Sequence, residues 1–366
     1  MICVRSWATL AVALAAILVP PAAVSADEIA DFYRGKRMTI LISSPPGSGY
    51  DTYARLLARG LPPHIPGNPT MVPQNMPGAG GMTLLNQAYN SGARDGTLVF
   101  TLHFTLPLYQ AMGGRGVRFD AAKIIGLGRL LASNAVIGVA TNSKSNVRTL
   151  ADAVARESVI GSTGVSSNAT IYPTILNNML GAKFKIVSGY AGEGDIFLAM
   201  ERGEVDGFGS YSYLTFKATK PDYLTKKLFY PIIQWGTKRE DEWSDVPTAI
   251  DTATMPVDKR AMELASSGPD IGFSYFMPPE VPTLRVRALR AAFDEMIKDP
   301  VFLAEAERQN LPLRTASGEA MEESVRSVLR ATPDVINRLT ELQVTKGGVM
   351  CQDYTKAEFC SKEGTN

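Results

Sequence analysis

Short apolar, β-branched runs alternate with amphipathic segments along the first part of the chain. The run at residues 38–43 is bounded by proline and glycine, which predicts a buried strand. A helix is predicted from Asp51, because the apolar positions after it share one helical face until two prolines end the pattern. A weaker strand at 71–74 contains Pro73, which requires a sheet edge or a bend.

The elements then follow a repeating order. A helix at 82–90 and a strand at 97–102 complete a β-α-β-α-β unit, which implies a mostly parallel sheet with helices on its faces. The same order recurs later, with predicted strands at 158–162, 184–187 and 205–210 and helices at 169–180 and 195–202. Beyond 229–235 the pattern becomes helical, with helices predicted at 284–297, 301–309, 319–329 and 333–344. Four glycine-rich loops join strands to helices, and ligands of open α/β sheets bind at that end of the strands.

The amino terminus carries the pattern of an export signal. Arg5 gives a basic start, residues 8–19 form an apolar core, and Val24, Ser25 and Ala26 supply the small residues that signal peptidase reads. The apolar core is shorter than the about 20 residues that a membrane-spanning helix needs. We therefore predict a signal peptide at 1–26, with an uncleaved anchor as the alternative.

Length and charge narrow the class of protein. About 340 mature residues exceed the usual size of one hydrophobic core, so two domains are expected. Without the leader, basic and acidic side chains balance at 36 each, which disfavours nucleic acid as a partner. The chain has no run of like charges of the kind that would predict binding to a membrane surface.

The mature chain keeps two cysteines, Cys351 and Cys360, near its end. In an exported protein they predict a disulfide that closes a loop of about ten residues. Two separate thiols or half of a metal site are the alternatives, but His64 and His103 are distant in sequence, which disfavours zinc. No cofactor or metal is expected.

The candidate chemistry lies in the glycine-rich loops. The loops at 44–51 and 77–81 each lead into a helix, whose free N–H groups and positive dipole end face the loop. Neither contains Lys or Arg, so an anion held there would be bound by backbone amides, Ser48 and water. Each loop alone is also explained as a tight turn. Asp51 either caps its helix or contacts a ligand; we favour the cap, with Arg55 as its ion-pair partner.

Motifs of enzymes are poorly represented. The segment 78–83 begins like a dinucleotide-binding fingerprint but lacks the third glycine, and the chain has no P-loop and no nucleophile elbow. His103 is either a general base or a packed or hinge residue. Tyr211 and Tyr213 either stack on a ligand or cover the edge of a core.

Several short motifs occur in a fixed order along the chain. They are the strand, glycine-rich turn, Asp and Arg of 38–55, Asn-Met-Pro-Gly-Ala-Gly-Gly at 75–81, Arg-Asp-Gly-Thr-Leu at 94–98, Tyr-Ala-Gly at 190–192, Glu-Arg-Gly-Glu-Val-Asp at 201–206, Asp-Val-Pro-Thr at 245–248 and Lys-Asp-Pro at 298–300. Over about residues 33–329 this combination resembles the Bug/TctC solute-binding proteins, which serve tripartite tricarboxylate transporters.

The resemblance implies a periplasmic binding protein fold of type II, with two α/β lobes joined by two crossing strands (a Venus flytrap) and C-terminal helices. It places the first lobe at 27–132 and 233–345, the second lobe at 133–232, and a tail at 346–366 that extends beyond the family norm.

The resemblance also implies which residues hold the ligand. In this family, backbone amides of the first two loops grip one carboxylate, and the second lobe contacts the other end. By position these roles fall on Gly47, Ser48, Gly49, Tyr50, Gly78, Ala79, Gly80, Gly164, Ser166, Ser167, Tyr190 and Ala191. The usual Gly-Gly-Pro-Thr turn is Gly-Ser-Gly-Tyr at 47–50 here, so a phenol that narrows the pocket or stacks on an aromatic ligand replaces a small hydroxyl. A histidine common before the second-lobe helix is absent.

The sequence therefore predicts a monomeric periplasmic solute-binding protein, and no enzyme. It would capture a dicarboxylate or aromatic carboxylate for the membrane permease subunits of a tripartite tricarboxylate transporter. Two alternatives remain: a hydrolase or transferase that uses Ser48 or Ser166 with His103, and a sensor subunit for a membrane receptor.

Overall fold

The computed structural model describes residues 28–343 and 349–350. Its strands, numbered in chain order, are β1 (Arg37–Ile42), β2 (Thr70–Asn75), β3 (Leu98–Leu102), β4 (Ile125–Leu131), β5 (Ala135–Ala140), β6 (Ser158–Ser162), β7 (Phe184–Ser188), β8 (Gly207–Ser212), β9 (Phe229–Trp235), β10 (Phe273–Met277), β11 (Ala316–Ser317) and β12 (Val349–Met350).

Helices follow most of these strands. A first helical segment covers 28–33. The α-helices after it are Gly49–Gly60, Met82–Ser91, Leu106–Ala111, Leu150–Ala155, Asn168–Leu180, Glu193–Glu201, Tyr213–Thr219, Pro221–Thr225, Pro256–Ser266, Gly268–Ile271, Thr283–Met296, Pro300–Arg308, Gly318–Leu329 and Pro333–Leu342. Short 3-10 turns occupy Pro62–His64, Ala79–Gly81, Ala121–Lys123, Asp241–Trp243 and Ile250–Thr252.

The first sheet has the strand order β11-β4-β10-β3-β1-β2. Strand β1 runs parallel to both β2 and β3, whereas β10 runs antiparallel to β3 and β4. Strand β2 lies at the edge of the sheet, where a proline, which has no N–H to donate, is tolerated; Pro73 is in this strand. The predicted edge position of this strand is confirmed.

The second sheet has the order β12-β7-β6-β8-β5-β9. Strands β7, β6 and β8 are parallel, and β5 is antiparallel to β8 and β9. Both sheets are therefore mixed: the strands of each predicted β-α-β unit run parallel, as expected, and antiparallel strands extend both sheets. The exchange of chain between the sheets brings β10 into the first sheet and β5 into the second against the direction of their neighbours, and β11 adds a further antiparallel edge to the first sheet.

Two crossings make this exchange. Residues 132–134 carry the chain from β4 of the first sheet to β5 of the second, and after β9 the chain returns to insert β10 between β3 and β4. The molecule is thus two α/β lobes joined by two crossing strands, with further helices at the C-terminal side. The predicted lobe boundaries at 132 and 233 stay predictions, and β9 runs across the second of them.

Aromatic packing supports the base of the second lobe. The rings of Trp235, at the end of β9, and Tyr172, in the helix Asn168–Leu180, stack with centroids 3.9 Å apart, and both are fully buried. Burial of such rings removes large apolar areas from water. This packing fixes the helix whose amino end reaches the space between the lobes. None of the described helices is long and apolar enough to span a membrane.

Candidate ligand-binding cleft

The first strand-to-helix loop ends in a serine cap. Ser48 is the N-cap of the helix Gly49–Gly60, and its Oγ accepts a hydrogen bond from the Asp51 N–H at 3.2 Å. The same Oγ lies 2.5 Å from Ser44 Oγ. The expectation that Asp51 caps this helix is wrong, because the helix begins two residues earlier and Asp51 occupies its third position.

Asp51 instead holds the loop together. Its carboxylate accepts hydrogen bonds from the Gly47 N–H at 2.8 Å, from Arg55 Nε at 2.9 Å and from Asn75 Nδ2 at 2.8 Å. Burial alone would raise the pKa of Asp51, but the hydrogen bonds from Arg55, Asn75 and Gly47 outweigh it and hold the pKa below its usual value. The predicted ion pair with Arg55 is confirmed. The Gly47 amide is engaged inside the loop.

The second loop has an unusual backbone. Gly78, Ala79, Gly80 and Gly81 have φ angles of 144°, 46°, 64° and 92°. Ala79 adopts this left-handed region without being glycine, which costs an L-residue roughly 1–2 kcal/mol. Such strain persists where surrounding contacts enforce it, and it concentrates at ligand clamps.

The second loop touches the opposite lobe. Ser166 Oγ donates a hydrogen bond to the Ala79 carbonyl, and Thr105 Oγ1 donates to the Ser166 carbonyl at 2.8 Å. A Cβ atom built on Gly80 would lie 2.6 Å from Ser166 Oγ, closer than real Cβ atoms approach. The lobes are therefore in contact here, with no room for a side chain at residue 80.

The other second-lobe loop approaches the first lobe in the same way. The N–H groups of Gly189 and Tyr190 both donate to the Ser162 carbonyl, at 3.1 and 3.2 Å. Burial raises the pKa of Tyr190 to about 12, and its hydroxyl has no hydrogen-bond partner among the described residues. A Cβ built on Gly192 would lie 2.8 Å from Pro45 Cγ. Glycine at 192 thus lets the two loops meet.

A cavity of about 330 Å³ lies between these loops. Both lobes line it, through Ser43, Ser44, Pro45, Pro77, Gly78, Gly80, Gly81 and His103 of the first and Thr163, Tyr190, Ala191, Gly192 and Glu193 of the second. Its volume suits a small organic molecule, and its largely apolar lining carries a few polar groups, among them Ser44, His103 and Glu193.

A second, smaller cavity of about 40 Å³ lies deeper between the lobes. His103 and Glu193 line both cavities, so the two spaces adjoin at these side chains. The remaining lining residues of the smaller one are Gly49, Tyr50, Phe104, Ser133, Ala135, Asn168, Ser210, Tyr211, Ser212, Thr215 and Phe273.

His103 is a neutral hydrogen-bond acceptor at this junction. Burial lowers its pKa to about 4. Its Nδ1 lies 3.0 Å from Thr105 Oγ1, whose own proton is donated to Ser166. Nδ1 therefore carries the ring proton, which leaves Nε2 as an acceptor.

Tyr50 forms part of the wall of the smaller cavity. Its hydroxyl accepts a hydrogen bond from the Phe104 N–H at 3.3 Å, and its ring contacts Phe273 and His103 at centroid distances of 4.5 and 5.4 Å. Burial raises the pKa of Tyr50 above its usual value. The phenol thus lines the smaller cavity; whether it narrows the pocket or stacks on a ligand stays a prediction.

Glu193 is the cleft residue that the sequence analysis missed. It is the first residue of the helix Glu193–Glu201, directly after the N-cap Gly192. Its Oε2 is shielded from solvent and has no partner among the described residues. Burial raises the pKa of Glu193, its own backbone N–H lowers it, and Asp195 raises it further. An acidic residue directly after the Tyr-Ala-Gly motif was the available signal.

Four helices begin at these cavities. They are Gly49–Gly60, Met82–Ser91, Asn168–Leu180 and Glu193–Glu201, and each contributes its first residues or its N-cap to a cavity wall, or stands directly behind one. No Lys or Arg lines either cavity. The positive potential at the cleft therefore comes from helix amino ends and backbone amides.

The predicted ligand-binding residues divide between the walls and the loop contacts. Those in the larger cavity are Gly78, Gly80, Tyr190 and Ala191, and those in the smaller one are Gly49 and Tyr50. The others belong to the hydrogen-bonded loops beside the cavities: Gly47, Ser48, Ala79, Gly164, Ser166 and Ser167. Their roles toward a ligand stay predictions. The predicted pair Cys351 and Cys360 lies outside the described residues.

The serines of the hydrolase hypothesis are engaged elsewhere. Ser48 is held by Ser44 and the helix N–H, and Ser166 donates to the Ala79 carbonyl. None of the hydrogen bonds of the described residues joins either serine to His103. The described residues also hold no group of three or more His, Cys, Asp or Glu side chains placed to bind a metal.

Comparison with solved structures identifies the fold. The chain resembles a TctC solute-binding protein from Polaromonas solved without ligand (TM-score 0.53, 21% identity, 81% of this chain and 96% of that one). It also resembles the periplasmic binding protein BugD (0.66, 16%, 86% and 100%) and MatC from Rhodopseudomonas palustris with bound malate (0.62, 17%, 84% and 99%). Neither a protein-family model nor a curated protein sequence matches the chain. The chain therefore has the two-lobed fold of periplasmic binding proteins.

Proposed function

We propose that this chain is a periplasmic solute-binding protein that captures a small organic carboxylate and delivers it to a membrane transporter. The observation that carries the proposal is the cleft itself. A cavity enclosed by both lobes is bordered by helix amino ends and glycine-rich backbone, and no cationic side chain lines it. Helix amino ends bind carboxylates reversibly, without the desolvation of a buried salt bridge.

The similar structures support the same assignment. They include a TctC solute-binding protein and the periplasmic binding protein BugD, and the similar structure of MatC holds malate. We extend this to a dicarboxylate or an aromatic carboxylate as the ligand, and to the permease subunits of a tripartite tricarboxylate transporter as the partner. The role requires export, which the predicted signal peptide at 1–26 would provide; that segment lies outside the described residues.

Loop amides are proposed to hold one carboxylate group. The second loop is the strongest candidate, because Gly78 and Gly80 line the larger cavity in a backbone conformation that glycine favours. Tyr190 and Ala191 would contact the other end of the ligand from the second lobe. Binding then amounts to stabilising the closed arrangement, since one ligand touches both lobes. No covalent chemistry on the ligand is involved.

A thermal-shift screen of the mature protein tests the proposal. Mono-, di-, tri- and aromatic carboxylates are compared with neutral sugars and with amines of similar size. A bound carboxylate at a hundred times its dissociation constant should add about 2.7 kcal/mol to the free energy of unfolding. Stabilisation by sugars or by simple amines, with none by any carboxylate, would contradict the assignment.

A further inference from the structure

Glu193 brings a negative charge to a cleft that is otherwise suited to anions. Its side chain lines both cavities, and its Oε2 is buried without a hydrogen-bond partner among the described residues. An ionised carboxylate without a partner is costly inside a protein. No Lys or Arg lines the cleft, so this cost is relieved either by protonation of Glu193 or by a cationic group that the ligand brings.

The groups around Glu193 offer no cation either. Tyr50 and Tyr211 lie close enough to feel its charge, and Asp195 stands one half-turn along the same helix. His103, which shares both cavities with it, is neutral and presents an acceptor at Nε2. The Glu193 carboxylate and His103 Nε2 are thus two hydrogen-bond acceptors that border the same space. The complementary group on a ligand is one that donates several hydrogen bonds.

Burial raises the pKa of Glu193, and a cationic partner would restore its ionised form. Its position also supports the negative charge. It is the first residue of a helix of nine residues, where the helix dipole stabilises negative charge. A protonated ammonium is the group that pairs best with such a carboxylate, because it supplies both charge and donors. The glycine-rich loops at the other side of the larger cavity remain free to take a carboxylate.

We propose that the ligand is a carboxylate that also carries a protonated amine, and that Glu193 binds the ammonium group. This inference rests on the proposed function and narrows its substrate class from carboxylates in general to amino-carboxylates. Aspartate, glutamate, 4-aminobutyrate and phenylalanine are the probes, each matched with the acid that lacks the amine: succinate, glutarate, butyrate and 3-phenylpropionate.

Calorimetric titration at pH 7.5 of the mature protein compares the paired probes. For at least one pair, the amino-carboxylate should bind at least about tenfold more tightly than its partner, the effect of a close buried charge pair. Glu193→Gln keeps the shape and removes the charge, so it should abolish this preference while acids without the amine bind as well as before or better. Asp195→Asn is the control, because it removes a charge from the same helical turn but lines neither cavity; its preference should stay that of the wild type.

The stability of the ligand-free variants provides a second readout. Glu193→Gln removes a buried carboxyl group whose oxygen has no partner and whose pKa is raised, so it should raise the melting temperature, because groups kept for binding often reduce stability. Equal or tighter binding of the amine-free acids by the wild type would overturn the inference and leave the carboxylate assignment intact. The inference would also be overturned if Glu193→Gln lowered the melting temperature, or if this variant still bound the amino-carboxylates more tightly than the matched acids. Binding of no carboxylate of either series would defeat the proposed function itself.

Discussion

At the scale of single residues, two acids in the same cleft have opposite surroundings. Asp51 accepts three hydrogen bonds, from a backbone amide, an arginine and an asparagine, and its pKa is lowered. Glu193 has an oxygen without a partner, and burial raises its pKa. Asp51 is therefore fully used in shaping the first loop, whereas Glu193 has binding capacity left for a ligand.

His103 makes the ligand-free protein sensitive to acid. In the unfolded chain its pKa is near 6.5, whereas burial lowers it to about 4 in the folded protein. Between these values the unfolded state binds more protons, so stability rises with pH. The contribution is fully present above about pH 6.5 and is lost as the pH falls toward 4; its size is roughly 3 kcal/mol.

The prediction is checked by urea unfolding of the wild type and of His103→Gln at a series of pH values from 4 to 7. The free energy of unfolding of the wild type should fall more steeply with acid than that of the variant, by roughly 3 kcal/mol over the whole range. Parallel curves would show that His103 titrates normally in the folded protein, and would remove the neutral acceptor from the cleft.

At the scale of elements, the glycines of the second loop set how closely the lobes approach. Gly80→Ala adds a methyl group that would lie 2.6 Å from Ser166 Oγ across the cleft. The lobes then close incompletely, and we expect the affinity for a carboxylate found in the thermal-shift screen to fall at least about tenfold. Calorimetric titration measures this loss.

Gly113→Ala is the matched control for that substitution. Gly113 has a φ angle of 69°, close to the 64° of Gly80, but a Cβ there meets nothing within 4 Å. Both variants pay the same backbone cost of about 1–2 kcal/mol. Only Gly80→Ala should lose affinity; a similar loss in both, or in neither, would mean that contact at residue 80 does not govern closure.

How well the elements could be predicted depends on their periodicity. Strand β6 has the predicted bounds, and the C-terminal amphipathic helices lie where their apolar faces placed them. Strand β10 was not predicted, because all five of its residues are buried and the run shows no alternation. The helix start was misjudged because Ser48 and Asp51 are both capping types; the spacing Ser-x-x-Asp points to Ser48.

The candidate site was predictable only in part, for a related reason. Glycine-rich loops can be recognised directly in the sequence. Four residues predicted from them line the larger cavity: Gly78, Gly80, Tyr190 and Ala191. The engagement of the Gly47 amide by Asp51 depends on how the loop folds back. Glu193 and His103 line the same cavities because the two lobes pack together. No local sequence pattern encodes a contact between residues so far apart in the chain.

At the scale of the whole molecule, the strand exchange gives each lobe its own sheet and leaves two narrow connections between them. The loops that face each other across the cleft are joined by polar contacts, such as Ser166 with Ala79 and Thr105 with Ser166. Polar contacts of this kind add little net stability each, about 1 kcal/mol. A ligand that touches both lobes can therefore shift the balance toward closure.

The central claim is that a carboxylate binds between the lobes, against the loops that enclose the larger cavity. The most direct measurement is a crystal structure of the mature protein with the carboxylate that stabilises it most. We expect the ligand in the 330 Å³ cavity, with one carboxylate group within hydrogen-bond distance of the backbone of Gly78–Gly81 or of Ser44 in the first loop. Ligand density on an outer face of either lobe, with this cavity empty of it, would contradict the account.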